Sequence, residues 1–124
     1  MKNWTSMLIS LVLTAALCFG AAAGMAEGVL TLPSAVKEIQ VEAFAGAEGF
    51  AEIILPEGVE KIGERAFAES SIERIRIPDG VTDIGTGAFY NCVDLVSADV
   101  SDGVTEITDY LFWRCLKLEQ VDIP

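Results

Sequence analysis

Residues 77–99 read IPDGVTDIGTGAFYNCVDLVSAD, and the segments on either side repeat their pattern in other residues. Upstream, residues 32–54 read LPSAVKEIQVEAFAGAEGFAEII and residues 55–76 read LPEGVEKIGERAFAESSIERIR; downstream, residues 100–122 read VSDGVTEITDYLFWRCLKLEQVD, and Ile123-Pro124 starts again. The units are 23, 22, 23 and 23 residues long. In register stand Val36, Val59, Val81 and Val104, then Ile39, Ile62, Ile84 and Ile107, then Phe44, Phe67, Phe89 and Phe112. A half repeat at 29–31 comes first, with Leu30 and Leu32 in the same two places as later apolar pairs. A period of 20–50 residues held by apolar positions marks a repeat architecture, because one such unit cannot bury its own apolar face and must stack on neighbours.

Each unit ends in apolar-x-x-apolar-x-apolar: Phe50, Ile53, Leu55; Ile72, Ile75, Ile77; Leu95, Ala98, Val100; Leu118, Val121, Ile123. The last pair alternates with polar residues, the period of a half-buried strand. Five short strands follow, one per turn. The strand runs into Pro-Glu-Gly at 56–58, Pro-Asp-Gly at 78–80 and Ser-Asp-Gly at 101–103. Proline second and glycine last are type I turn residues and bend the chain out of the strand. Val-x-x-Ile comes next, then a short Ala-Phe or Leu-Phe stretch that predicts one helical turn. The expected fold is a mainly β solenoid of parallel strands with short helical or turn segments.

The pattern Ile-Pro-Asp-Gly-Val-Thr-Asp-Ile-Gly-x-Gly-Ala-Phe-x-x-Cys-x-x-Leu of residues 77–95 resembles the BspA-type leucine-rich repeat of bacterial surface and secreted proteins, over about residues 29–124. Ser101 stands where proline is expected, the unit 55–76 is one residue short near Ser70-Ser71, and Leu111 replaces the alanine before Phe112. The resemblance implies a right-handed leucine-rich repeat solenoid that binds proteins or host matrix at a bacterial surface. It implies no catalytic residues.

Ahead of the repeats, residues 1–26 read MKNWTSMLISLVLTAALCFGAAAGMA. A lysine near the start, an uncharged apolar stretch from Met7 to Ala23 and small residues before Glu27 are the three parts of a secretory signal peptide. Cleavage after Ala26 is preferred and cleavage after Ala23 also fits; an uncleaved anchor is the rival reading. Leu17 before Cys18 argues against a lipoprotein signal. The expected location is therefore secreted or cell-surface, with no membrane association after cleavage.

Lys2 is the one charged residue in that segment, so the remaining 98 residues carry seven basic and 19 acidic side chains, net −12, with no histidine. Phosphate neutralisation needs clustered Lys and Arg, so nucleic acid is not an expected partner. Histidine-based triads are excluded, zinc enzymes nearly so, and no glycine-rich phosphate loop appears. No enzymatic activity and no cofactor are expected.

Candidate sites follow from the stacking. The outward strand positions Glu52, Ile54, Arg74, Arg76, Ser97, Asp99, Gln120 and Asp122 form the candidate protein-binding face. Arg74 and Arg76 among acidic neighbours read either as a cross-strand ion-pair ladder or as interface anchors. Cys92 and Cys115, one turn apart, lie within disulfide reach in a secreted chain, but a pair of small buried fillers is preferred, since Ala47 and Ser70 take the same position. Glu57 with Glu60, Asp79 with Asp83 and Asp102 with Glu106 read as solvated turn residues, lacking the spacing of known calcium loops. Tyr110, Phe112 and Trp113 cluster in the last unit, with Trp113 expected to seal the terminal turn as a core aromatic or, alternatively, to lie exposed as a contact.

No polar cap follows Ile123-Pro124. A bare parallel edge templates another chain, so the sequence reads as part of a longer repeat array or as self-associating edge to edge. The function expected is a secreted or surface adhesion module that binds a protein or host-matrix ligand through its concave strand face. The alternative is a spacer or stalk within a larger surface protein.

Overall fold

Apolar residues spaced two apart, flanked by charged ones, dictate strands that each bury one side chain at their centre. The computed structural model describes residues 25–26 and 28–123. Its strands are β1 (Met25–Ala26), β2 (Val29–Thr31), β3 (Glu38–Ile39), β4 (Glu52–Ile54), β5 (Lys61–Ile62), β6 (Arg74–Arg76), β7 (Asp83–Ile84), β8 (Ser97–Asp99) and β9 (Gln120–Asp122). One six-stranded sheet runs in the order β1-β2-β4-β6-β8-β9. From β2 onward its neighbours are parallel, with Leu30 opposite Ile53, Ile75 opposite Ala98 and Ala98 opposite Val121. These are the five strands read from the repeat, and the chain is a parallel β-solenoid with one turn per repeat.

Two elements were not expected. β1, the last two residues of the segment read as a signal peptide, pairs antiparallel with β2, Met25 opposite Leu30 and Ala26 opposite Val29; residues 1–24, which hold the rest of that segment, lie outside the described residues. A second, three-stranded parallel sheet, β3-β5-β7, stacks the second half of the first three Val-x-x-Ile motifs, with Ile39 opposite Ile62 and Ile62 opposite Ile84.

The turn after each strand also sits one residue later than the expected one. Val59 N–H donates to the Pro56 carbonyl at 3.1 Å, and the equivalent bonds join Val36 to Pro33, Val81 to Pro78 and Val104 to Ser101. Proline therefore occupies the first position. The residue before it still serves the ladder, as when Ile77 N–H donates to the Asp99 carbonyl at 2.8 Å. Proline thus stands at the first place where no backbone donor is needed. The glycine that follows is set by crowding: a Cβ on Gly103 would lie 2.5 Å from the carbonyl oxygen of Asp79 in the previous turn.

The predicted helical turn is absent. In its place the Ala-Phe segments alternate between two kinds of bond. Ala43, Ala45 and Ala47 donate back three residues within their own turn, to Gln40, Glu42 and Phe44, while Glu42, Phe44 and Gly46 donate forward to Glu64, Ala66 and Ala68 of the next turn, at 2.7–3.0 Å. A helix would spend every donor within one turn. Alternation is made possible by left-handed backbone at two places per repeat: Glu42, Arg65, Gly87 and Tyr110 form one set, and Gly46, Glu69, Asn91 and Arg114 the other.

These segments place the phenylalanines in a continuous stack. Phe44, Phe67, Phe89 and Phe112 have successive ring centroids 5.3, 5.3 and 5.6 Å apart, their planes nearly parallel. Around them close the strand and turn residues, among them Leu30, Ile53, Val59, Ile62, Ile72, Val81 and Leu95. Burial falls off in the last turn, where Ile107 is 46% exposed although Ile39, Ile62 and Ile84 are at most 3% exposed. Among the described residues, no helix is long and apolar enough to cross a membrane.

Candidate functional site

Strand alternation turns Ile53, Ile75 and Ala98 into the core and their neighbours outward. The eight predicted face residues accordingly share one surface. Ile54, Arg74, Arg76, Asp99, Gln120 and Asp122 are exposed, and Glu52 and Ser97 are half-buried. Register sets Glu52 opposite Arg74, Arg74 opposite Ser97 and Arg76 opposite Asp99. A shallow depression of about 210 Å³ runs along Arg74, Arg76, Ser97, Asp99, Gln120 and Asp122.

The charges on this face are largely used within the molecule. Arg76 Nη1 donates to Glu57 Oε1 at 2.7 Å and its Nε lies 3.9 Å from Asp99. The bond to Glu57, and then that residue's charge, raise the Arg76 pKa above its usual value. Arg74 lies 3.8 Å from both Glu52 and Glu73. Asp99 and Asp122 face each other on adjacent strands, and Gln120 Nε2 donates to Asp122 Oδ2 at 3.0 Å. Exposed pairs of this kind are worth about 0–1 kcal/mol each, so they set register more than they stabilise.

The remaining sequence candidates separate. Cys92 and Cys115 are free thiols that follow Ala47 and Ser70 along one column. Each donates to the phenylalanine carbonyl one turn back, Cys92 to Phe67 at 2.9 Å and Cys115 to Phe89 at 3.2 Å. Burial pushes the Cys92 thiol up, against the opposing hydrogen bond from Ser70, and pushes Cys115 up to about 11. Of the acidic turn pairs, Glu57 is held by Arg76, and Asp83 lies 3.6 Å from Lys61. Among the described residues no group of three or more acidic or cysteine side chains is placed to hold a metal ion.

Trp113 does not seal the core. It is 43% exposed, and Tyr110 is 62% exposed. Trp113 stacks on Tyr90 with ring centroids 4.8 Å apart, the Arg65 guanidinium lies 4.7 Å over Tyr90, and Arg114 lies 5.3 Å over Trp113. Tyr110 and Arg114 hold the same left-handed backbone as their counterparts in the earlier repeats, and the apolar pattern alone does not reveal that Trp113 lies exposed. Beside the stack opens a cavity of about 400 Å³ lined by Glu64, Arg65, Thr86, Gly87, Tyr90, Tyr110 and Trp113. The sequence carries one signal for it: two aligned columns, Ala45-Ala68-Tyr90-Trp113 and Glu42-Arg65-Gly87-Tyr110, change from small or charged to aromatic along the stack.

With this geometry the chain matches known proteins. Residues 25–124 match six copies of the BspA type Leucine rich repeat region. No curated protein matches the chain. A leucine-rich repeat protein from Bacteroides ovatus is 29% identical with a TM-score of 0.60, the match covering 76% of this chain and 30% of that one. The pneumococcal vaccine antigen PcpA is 35% identical with a TM-score of 0.56, covering 62% of this chain and 19% of the antigen. A leucine rich cell surface protein from Faecalibacterium prausnitzii, 24% identical with a TM-score of 0.53 over 77% of this chain and 31% of that one, shares the fold. The chain thus spans under a third of the length of each of these structures. Leucine-rich repeats generally serve as protein-interaction scaffolds. The stacked parallel strands, the phenylalanine column and the match over residues 25–124 lead to one conclusion: the chain belongs to the BspA-type leucine-rich repeat family.

Proposed function

We propose that the chain is an exported surface module that binds a protein or host-matrix ligand through the strand face of β4, β6, β8 and β9. The observation that carries this reading is the exposed face itself, where Arg74 and Arg76 stand over a shallow depression that no other segment among the described residues fills. Arginine is favoured at interface hot spots because its planar head offers five donors. The cell-surface and vaccine-antigen descriptions of two structural neighbours support a surface setting. Export would use the signal peptide read in residues 1–26.

The internal pairing of Arg74 and Arg76 favours a second reading, a spacer whose charges serve register alone. Solid-phase binding to an extracellular-matrix extract separates the two. The native chain is expected to bind saturably, and the R74S/R76S variant to lose about tenfold or more in affinity with an unchanged circular dichroism spectrum. Absence of saturable binding by the native chain would favour the spacer.

A further inference from the structure

Stacked turns hold equivalent side chains in layers about 4.8 Å apart, so a position without a side chain leaves a gap one layer thick. The column Glu42, Arg65, Gly87, Tyr110 has such a gap at Gly87. In the adjoining column one layer is filled by flat rings, Tyr90 on Trp113 at 4.8 Å. A methyl group on Gly87 would sit 3.4 Å from Tyr90 Cβ and 3.7 Å from Arg65 Cγ, which is ordinary contact. The slot is therefore walled at van der Waals distance by Tyr90 and Arg65, and it opens into the cavity that Tyr110 and Trp113 also line, with room for a planar group.

Its electrostatics select among planar groups. Arg65 presents its methylene stem to the slot, while its guanidinium lies over Tyr90 and donates to Glu69 at 3.1 Å. Glu42 is 3.9 Å from the same guanidinium, and Glu64 makes no ion pair among the described residues. Two carboxylates thus flank the Arg65 cation and Glu64, which lines the same cavity, adds a third negative charge, on a chain of net charge −11. Twice beside the slot, at Arg65 on Tyr90 and Arg114 on Trp113, an arginine already lies over an aromatic face.

We propose that the slot at Gly87 binds an arginine side chain of a partner polypeptide, its guanidinium stacked on Tyr110 and paired with the Glu64 carboxylate. Lysine matches the charge but not the flat gap, since its ammonium is compact and strongly hydrated. An aromatic side chain fills the gap but leaves Glu64 unpaired. The slot is built from residues 64–65, 86–90 and 110–113, none of them on the strand face, so it stands apart from the function proposed above.

The test is a nuclear magnetic resonance titration of the chain with acetyl-Gly-Arg-Gly-amide, and with the same peptide carrying Lys or Tyr in place of Arg. Saturable shifts of the Gly87 amide and Trp113 indole N–H are expected with the arginine peptide. E64Q and Y110A should each weaken that binding about fivefold. G87N should abolish it with only a small fall in melting temperature, because asparagine fills the gap and tolerates left-handed backbone better than most side chains. The proposal is overturned by an absence of saturable shifts, by a tyrosine or lysine peptide that binds as tightly, or by arginine binding unchanged in both E64Q and Y110A.

Discussion

Glu42, Arg65, Glu69, Asn91, Tyr110 and Arg114 hold left-handed backbone without being glycine, at φ between 52° and 61°. For an ordinary L-residue that conformation costs about 1–2 kcal/mol, and Gly46 and Gly87 occupy equivalent positions. Glycine gives part of the gain back through a more flexible unfolded chain. Glu42→Gly is therefore expected to stabilise by up to about 1 kcal/mol, read as a higher midpoint in urea unfolding. Burial also disfavours the thiolate form of both cysteines. Burial raises Cys115 from 9.0 to about 11, so the native state favours the neutral thiol. Its contribution is fully present below pH 9 and is lost as pH rises through about 11. Alkylation of Cys115 by iodoacetamide should accordingly be slow at pH 8 and accelerate toward pH 11.

Short elements explain where sequence and structure part. β2, β4, β6, β8 and β9 were legible because their apolar residues alternate and recur at the repeat period. β3, β5 and β7 were not, since two residues are too few to show alternation, and Val-x-x-Ile fits a turn as well as a strand. The Ala-Phe stretch has helical composition, yet inter-turn bonds from Glu42, Phe44 and Gly46 outcompete a helix that would be only one turn long. The candidate strand face was predictable from alternation, whereas the Gly87 slot needed the stacking that sets Tyr110, Trp113 and Gly87 around one cavity. The phenylalanine column is the element on which the repeats depend. Phe67 is fully buried between Phe44 and Phe89, so Phe67→Ala removes two stacking contacts and leaves a cavity. A loss of about 3–5 kcal/mol is expected, measured by chemical denaturation against the native chain.

Across the whole molecule each repeat contacts only its neighbours, and ladder bonds run along the stacking axis. Buried side chains face inward while the acidic excess lies in turns and outward strand positions, so one sign of charge coats the length of the stack. The arginines Arg74 and Arg76 interrupt that coat on one face, and Glu64 deepens it on another.

The same axial ladder gives the solenoid a mechanical signature. Pulled from its two ends, the stack bears load on the few bonds joining one turn to the next, and these open as a zipper opens. Each released turn of about 23 residues pays out about 75–80 Å of extended chain. A force-extension trace should therefore show a staircase of nearly equal lengths at low force, in place of one large rupture. On such a trace the chain would lengthen severalfold and, as force falls, recoil turn by turn.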